Sequence, residues 1–584
     1  MDNISLARLL DETASLLEID GADIFRIRSY RRAAEAVEQQ TTQLATLATP
    51  EADPKALLAI AGIGKAMAAN IRDLVATGSM PLREELLQKY RPTMLELLRL
   101  PGMGPKTVAL VWSALQVSNI DELEAAAKAG HLAALPRMGE KFTVKLLKGI
   151  EDHRKNSSRF RIDQARDYAE KISQLILAFP GIDQVTPAGS LRRGRETVGD
   201  LDLLATGPAC EPDVVASAVE HVATLPLIDK LMARGQNKVT FTLRNNLQVD
   251  VRLLPRSSYG AALQYFTGSK HHNVALRQRA IKRGMTLSEY ALLRLEDNKI
   301  IASESEEAIY NALDLDFIPP ELRENCGELE AAANHTLPQL ITLADLHGDV
   351  HMHTSETDGT YTIREMAEAA ILRGRRYIAI TDHSKNLAMT NGMNDERALA
   401  HAARVRQVNQ EMEGRIHIFT GIECDILGEG EMDLTDETLA QLDIVIASVH
   451  SKFDQPIEVM TARVLRAIEN PYVRILAHPT GRKLLRRDPY KIDLEQIFRR
   501  ASELGVAVEH NAAPARTDLS DSHMRLAKSL GCKIVVNTDA HATDELDHMQ
   551  HGIVQLRRAW LTSADVINTA PTPEDFLASL RPRP

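Results

Sequence analysis

The apolar positions change rhythm twice along the chain. Residues 1–150 read as short amphipathic helices, cut by turns containing Gly and Pro, with almost no β-branched runs. From about residue 183 strand-like runs appear at Leu201–Ala205, Val239–Leu243 and Leu247–Leu254, with helical stretches such as Gln164–Leu177 beside them. Residues 301–350 hold eleven acids and one base around Ile318-Pro319-Pro320, which predicts a linker. Beyond it, short apolar runs alternate with amphipathic helices in the βαβα pattern of a parallel barrel or sheet. No tract is of low complexity, and no apolar run approaches the roughly 20 residues that cross a bilayer.

At 584 residues the chain has room for about four domains of roughly 150 residues. With 44% hydrophobic and 26% charged residues, core-forming domains are expected and disorder is not. Met1-Asp2-Asn3-Ile4 lacks the basic-then-apolar pattern of a secretory signal. The four cysteines form no CxxC pair, which argues against a disulfide scaffold or zinc ribbon and for a reducing, cytoplasmic setting. The net charge of -11 conceals an asymmetry: residues 1–300 carry 40 Lys and Arg against 35 acids, and residues 301–584 carry 29 against 45. Thirteen of 19 histidines follow residue 340. A mildly basic front suits a polyanion, and an acidic, His-rich back suits metal ions.

Two segments of the front share one arrangement. Leu58-Ala59-Ile60-Ala61-Gly62-Ile63-Gly64-Lys65 and Leu98-Arg99-Leu100-Pro101-Gly102-Met103-Gly104-Pro105-Lys106 each read as helix, Gly-h-Gly turn, helix. A degenerate third copy stands at Leu135-Pro136-Arg137-Met138-Gly139. Gly62, Gly64, Gly102 and Gly104 allow main-chain N–H groups at the second helix to face a phosphate, and Lys65 and Lys106 add charge. A single copy is as readily an ordinary αα-hairpin; the repetition favours sequence-independent, salt-sensitive DNA binding. The segments look like helix-hairpin-helix motifs.

The most specific front-half segment is Gly189-Ser190-Leu191-Arg192-Arg193-Gly194-Arg195-Glu196-Thr197-Val198-Gly199-Asp200-Leu201-Asp202. On a strand Asp200 and Asp202 share a face, and a third carboxylate is offered by Asp250 in Gln248-Val249-Asp250-Val251-Arg252. Three such carboxylates suit two Mg²⁺ or Mn²⁺ ions about 3.5–4 Å apart, with Ser190 and Arg193 placed for a triphosphate. A lone DxD more often marks a strand end; the surrounding residues make this one specific. The segment resembles the palm signature of family X DNA polymerases, the group of DNA polymerase beta. The resemblance continues through Tyr265-Phe266-Thr267-Gly268-Ser269, Asn273 and Arg277. It implies that Gly189, Gly199, Tyr265, Phe266 and Gly268 surround the incoming nucleotide, that Asn273 meets its base and that Arg277 steadies the template. Phe25–Ala34 resembles the family's 5′-phosphate-binding domain, which makes Tyr30 and Arg31 phosphate ligands. Where relatives with deoxyribose-phosphate lyase activity carry a Schiff-base lysine, the alignment places Asn70, and an amide cannot form the imine.

In the back half, the runs Asp349–His353, Tyr377–His383, His417–Glu423, Ile444–His450, Val473–His478, Val506–Asn511 and Lys533–His541 nearly all end in a metal-ligand residue type. A lone buried histidine is usually a core residue; the recurrence at strand ends is what a TIM-like active face requires. The set resembles the PHP (polymerase and histidinol phosphatase) domain. That resemblance implies one metal at His351, His353, Glu423 and Asp539, a second at Glu423, His450 and His478, and a third at Asp358, His383 and His541. Three divalent ions against three carboxylates would leave a positive pocket for a phosphodiester. Nitrogen and oxygen donors fit Mn²⁺, Zn²⁺ or Fe²⁺ alike. His510, Asn511 and Arg516 fall on the same rim, as substrate contacts or ligand supports.

The expected fold is therefore multidomain α and α/β. It comprises an N-terminal lyase-like helical domain (1–85), a second helix-hairpin-helix domain (86–155), a nucleotidyltransferase palm (156–255), a thumb (256–318), a linker (319–344) and a (β/α)7 PHP barrel (345–584). Ile318–Glu324 also looks like the junction joining such modules in bacterial PolX. The resemblance implies a gap-filling DNA polymerase with a metal-dependent 3′→5′ exonuclease, extended by relatives to abasic sites. Gapped or primed duplex DNA and dNTPs would be its partners, with no membrane and a monomeric state. Two other readings stay open: a phosphoesterase for a small phosphate ester with a vestigial front half, and a non-catalytic DNA-binding scaffold.

Overall fold

In the computed structural model of the chain, which describes residues 3–582 apart from 39–43, 50, 51, 54, 61, 99, 101, 137, 157, 158, 388 and 389, the periodic front segments are helices throughout. Ala61, Arg99, Pro101 and Arg137 of the hairpin motifs lie outside the described residues. The chain divides into two compact units, essentially residues 1–158 and 159–584.

The first unit packs helices including Asn3–Ile19, Ile24–Glu38, Lys65–Thr77, Pro105–Leu115 and Glu140–Asn156 on one core that contains Leu10, Leu74, Val108 and Leu146. The hairpins obey their glycines. Gly62 and Gly102 take φ of 100° and 83°, a left-handed turn that L side chains resist, and Gly64 and Gly104 are extended N-caps of the following helices. Ile63 and Met103 anchor each turn in the core. Their N–H groups donate to the carbonyls of Ile60 and Leu100, at 3.1 Å in both cases. Met138 repeats this with Leu135 at 3.2 Å and is also buried, so the described residues of the degenerate third copy share this anchor.

The second unit begins with a five-stranded sheet. Asp200–Thr206 lies between Gln184–Pro187, antiparallel, and Gln248–Leu253, parallel; Lys238–Leu243 and Ile228–Arg234 complete it. Helix Ile162–Leu177 buries Ala165, Ala169, Ile172 and Ile176, one side chain per turn. Next come helices Tyr259–Thr267 and Lys270–Lys282 and a small antiparallel sheet of Met285–Leu287, Leu292–Arg294 and Ile300–Ala302.

The stretch 319–344 does not run as the linker that its acids and prolines predict. Leu322, Leu329, Ala332 and Leu340 are buried in the core formed by Leu276, Ile309 and Tyr310. Several acids there and just before are spoken for. Glu306 is bound by Arg192 and Arg323, Glu324 by Arg193 and Arg558, and Glu321 by Arg557. Acid density signals solvent only when no cations wait in the fold.

The barrel has seven parallel strands in sequential order: Gly348–Asp349, Tyr377–Ile380, His417–Asp425, Ile444–Ser448, Ile475–Leu476, Ala507–Asn511 and Ile534–Asn537. Its first and last strands meet through main-chain bonds just beyond their ends, Asp539 N–H to His351 O (3.0 Å) and His353 N–H to Ala540 O (2.9 Å). Among the described residues no helix is long and apolar enough to cross a membrane.

Candidate functional site

Two clusters of metal-ligand side chains stand on the second unit. In the first, Asp200 begins its strand and Asp202 is the direct cross-strand partner of Asp250. The three carboxylates therefore converge on one sheet face. Burial, then Asp200, then Asp250 push the Asp202 carboxyl up to about 7. Asp250 is steadied by Thr240 (2.6 Å), Gln248 (2.9 Å) and Lys238 (2.6 Å). Three mutually repelling acids at the edge of a cleft are a donor set that fits Mg²⁺ or Mn²⁺. Gly189 (φ 57°) makes room: a Cβ there would lie 2.3 Å from Asp202 Oδ2.

Asp200 and Asp202 open into a cleft of about 370 Å³; Asp250, on the neighbouring strand, is not among its lining residues. Its lining brings together Gly189, Ser190, Arg193, Asp200, Asp202, Tyr265, Phe266, Gly268, Asn273 and Arg277 from three separate stretches of sequence. Gly199 is not among the lining residues; it leads into Asp200. Asn273 fastens the Tyr265–Gly268 turn, donating to Tyr265 O (2.6 Å) and accepting from Gln264 (2.8 Å). Phe266 packs under the Arg252 guanidinium, 4.8 Å from the ring centre. Lys270 also lines the cleft, and the sequence reading passed over it although it sits two residues after Gly268.

The second cluster lies at the C-terminal ends of the barrel strands. Three groups of ligand atoms each fall within 4.8 Å: His353, Asp358, His383 and His541; His351, His353, Glu423 and Asp539; and His383, Glu423 and His450. His478 Nε2 lies 2.9 Å from Glu423 Oε1. All nine expected side chains thus converge, with His353 and His383 each bridging two groups where the sequence assigned them one. His351 Nε2, His353 Nδ1, His383 Nδ1, Glu423 Oε2 and His478 Nδ1 are buried and make no hydrogen bond. Atoms left so would cost roughly 1–3 kcal/mol each, and divalent cations fit them. Burial alone would keep His383 and His541 neutral; their acidic neighbours instead raise them to about 10 and about 9, so metal loading must displace protons. His478 (φ 28°) and Asp539 (φ 55°) both occupy the left-handed region, a strain of the kind that persists where surrounding structure imposes it.

Carboxylates and a hydroxyl orient these ligands. Glu509 lies 2.7 Å from His351 Nδ1, Asp425 lies 2.6 Å from His450 Nδ1, and Ser448 donates to Glu423 at 2.6 Å. Asn511 donates to Asp539 Oδ2 (2.9 Å), and Arg516 stands 3.3 Å from the same oxygen. His510 alternates to the other side of its strand, where Nδ1 meets Leu519 O, so it supports no ligand. Glu509, one place earlier and on the Asn511 face, was the residue to choose by strand period.

Comparison with known proteins follows this layout. Residues 262–324 match the DNA polymerase beta thumb, 347–485 the PHP domain, 1–80 a helix-hairpin-helix domain and 94–152 a SAM-like helix-hairpin-helix tandem. The DNA polymerase/3'-5' exonuclease PolX of Bacillus subtilis (strain 168) is 37% identical over 571 residues, 97% of each chain. The chain belongs to the PolX family. A probable phosphatase of Thermoanaerobacter sp. (strain X514) is 32% identical over 232 residues, 38% of this chain and 89% of its own. One of Syntrophotalea carbinolica is 28% identical over 240 residues, 39% and 95%. The full-length PolX match leaves neither half of the chain without a counterpart, and a phosphoesterase with a vestigial front is not favoured.

Within this PolX chain the helical unit departs from one expectation. Tyr30 is buried at 5% exposure, and its hydroxyl accepts from Asn70 Nδ2 at 2.6 Å. Arg31 pairs with Glu18 at 2.5 Å. Tyr30 thus fastens the residue that stands at the lyase position. Lys65 and Lys106 stand at the first and second positions of helices capped by Gly64 and Gly104, around which a Cβ would meet nothing within 4 Å. That leaves the backbone there open to a phosphate.

Proposed function

We propose that this chain fills short gaps in DNA during repair and trims 3′ ends, at two separate active sites. Asp200, Asp202 and Asp250 form the polymerising centre and the nine barrel ligands form the nuclease. The observation that carries this reading is the cleft in which Asp200, Asp202 and the expected nucleotide-binding side chains open onto one space, with Asp250 beside Asp202 on the neighbouring strand.

In the cleft, Ser190 and Arg193 hold the triphosphate, and Lys270 adds positive charge. The Tyr265–Gly268 turn, fixed by Asn273, presses against the sugar and excludes a 2′-hydroxyl. Arg277 steadies the template. Divalent ions at the acids, Mg²⁺ or Mn²⁺, supply the charge that stabilises the attacking and leaving oxygens. Asp202, its carboxyl pushed up to about 7, takes up a proton when the ion leaves. In the barrel, Glu509, Asp425 and Ser448 fix the rotamers of His351, His450 and Glu423, and Arg516 offers a cation to a scissile phosphate. The barrel metals are Mn²⁺, Zn²⁺ or Fe²⁺.

The hairpins at Gly62–Lys65 and Gly102–Lys106 grip duplex phosphates on gapped or primed DNA. The working division is 1–85, 86–155, 156–255, 256–318 and 345–584, with 319–344 part of the thumb core. The protein acts as a cytoplasmic monomer without lyase activity. Borohydride trapping of a 5′-abasic adduct checks the last point, with no adduct expected. The test of the whole is a time course on a 5′-labelled primer in a one-nucleotide gap with Mn²⁺, with and without dNTPs. Wild type runs beside Asp200→Ala/Asp202→Ala and His351→Ala/His353→Ala. Extension should vanish only in the first variant and shortening only in the second. Shortening without extension in wild type would leave a nuclease on a DNA-binding frame, and no reaction on DNA would return the small phosphate ester.

A further inference from the structure

The loop that carries Ser190 and Arg193 is held from outside the palm. Its main chain and its acid are gripped by three barrel side chains, two from the helix Met549–Arg558 and one from the loop of Arg482. Arg558 Nη1 donates to Arg193 O at 2.7 Å, Gln555 Nε2 donates to Gly194 O at 2.7 Å, and Arg482 pairs with Glu196 at 2.5 Å. The fit is close, since a Cβ on Gly194 (φ 68°) would lie 2.1 Å from Val554 Cγ1. Arg558 is 3% exposed and Gln555 1%, so neither is a surface contact.

Arg558 also controls the Arg193 side chain. Glu324 Oε1 stands 3.1 Å from Arg193 Nε and 3.1 Å from Arg558 Nη1. One carboxylate oxygen between these two guanidiniums, with Arg195 Nη1 4.0 Å away as a third, cannot offset the positive charge around it, so Arg193 keeps charge for a phosphate while its position is fixed. The other arm of Arg558 is anchored in the barrel by Asp521 at 2.7 Å. Arg193 Nη1 meanwhile donates to Thr267 O (2.5 Å), which ties the phosphate arginine to the turn expected to hold the sugar.

We infer that Arg558, a residue of the nuclease barrel, is a positioning residue of the polymerase: it holds Arg193 and the Gly189–Glu196 loop in the geometry that binds the incoming triphosphate. This rests on the polymerase reading above. Without Arg558, the carbonyl of Arg193 loses its buried donor, and Glu324 is left to draw the Arg193 side chain into an undivided ion pair. A Lys at 558 keeps the charge but cannot reach the carbonyl and two carboxylates together. The barrel is then part of the nucleotide site as well as the seat of a second activity.

The experiment uses the full chain on a one-nucleotide gap whose primer ends in a dideoxynucleotide joined through a phosphorothioate that resists trimming, so that the next dNTP binds but cannot react. Its affinity is read by equilibrium titration. Primer extension, 3′ shortening and Tm are measured in parallel on Arg558→Met, Arg558→Lys, Gln555→Leu and Arg193→Ala. Arg558→Met should weaken dNTP binding and raise KM about tenfold or more, with kcat within about threefold and shortening retained; Arg558→Lys should recover only part of this. Arg193→Ala and Arg193→Ala/Arg558→Met should bind equally weakly, because Arg558 acts through Arg193. Unchanged dNTP affinity in Arg558→Met, or additive losses in the double variant, overturns the inference. If Arg558→Met loses shortening and Tm as well, Gln555→Leu decides: raised KM with shortening intact supports the grip, and unchanged KM overturns it. Failure of wild type to bind dNTP would instead remove the polymerase reading.

Discussion

The two metal centres of the second unit solve the same electrostatic problem in opposite ways. The palm gathers three acids on the lip of an open cleft and leaves their repulsion standing, with Asp202 raised to about 7. The barrel buries six of its nine candidate ligands, leaving His450 and His541 half-buried and Asp358 exposed, and surrounds the set with Glu509, Asp425, Ser448 and Asn511, so that the ligands are oriented before an ion arrives. An open acidic lip suits an ion that comes and goes with a nucleotide. A buried, braced histidine cage suits resident ions.

The contrast breaks most plainly under substitution. Asp202→Ala should cut primer extension by at least about 10²–10³-fold, the size seen when a preorganised electrostatic contact is lost, and leave 3′ shortening intact. His351→Ala should do the reverse. Loss of both activities in either variant would mean that the centres are not separate. Chelation separates them by time: after prolonged dialysis against EDTA, Mg²⁺ added in the assay should restore extension at once. Shortening should return only after slow reloading with Mn²⁺ or Zn²⁺, along with a recovery in Tm. Equal recovery would erase the distinction between visiting and resident ions.

Smaller effects sharpen it. Glu509→Gln should weaken barrel metal affinity about 10–100-fold while extension is untouched, and excess Mn²⁺ should rescue shortening. In the palm, the ion competes with a proton on Asp202. Apparent Mg²⁺ affinity in the extension assay should therefore rise between pH 6 and pH 8, through about 7, and flatten above it. The sign for stability is opposite. A carboxyl whose folded pKa exceeds its usual value binds extra protons when folded, so metal-free protein loses stability as pH rises from about 4 to about 7. Asp202→Asn should remove that part of the slope in EDTA. Smallest of all, Lys65→Ala and Lys106→Ala should each lower the salt slope of duplex binding by about one, equally for every sequence.

Much of this was legible because the chemistry sits on regular elements. Asp200, Asp202 and Asp250 follow from strand period, and His351, His383, Glu423, His450 and Asp539 from ligand types recurring at the ends of apolar runs. What stayed hidden has no pattern of its own. Asp425 is an acid on a buried strand, recognisable as a ligand support only once His450 is beside it, and Glu509 was within reach only through the strand face that it shares with Asn511. The 319–344 stretch looked like a linker because the partners of its acids, Arg193, Arg557 and Arg558, lie far away in sequence. Tyr30 looked like a phosphate ligand because Phe25–Ala34 resembles the family's 5′-phosphate-binding domain, but it is buried and its hydroxyl accepts from Asn70.

The closure of the barrel has a consequence for how the molecule comes into being. Its first and last strands, joined at His351–Asp539 and His353–Ala540, are separated by nearly two hundred residues of translation. During synthesis the palm and thumb leave the ribosome well before the nuclease has its last ligands. The segment that brings those ligands, 533–558, also brings Gln555 and Arg558 to the nucleotide loop. A nascent or prematurely terminated chain would thus lack a finished nuclease and a finished grip on its nucleotide together. The last barrel ligands and the inferred grip on the nucleotide loop reach the fold on one and the same closing stretch of polypeptide.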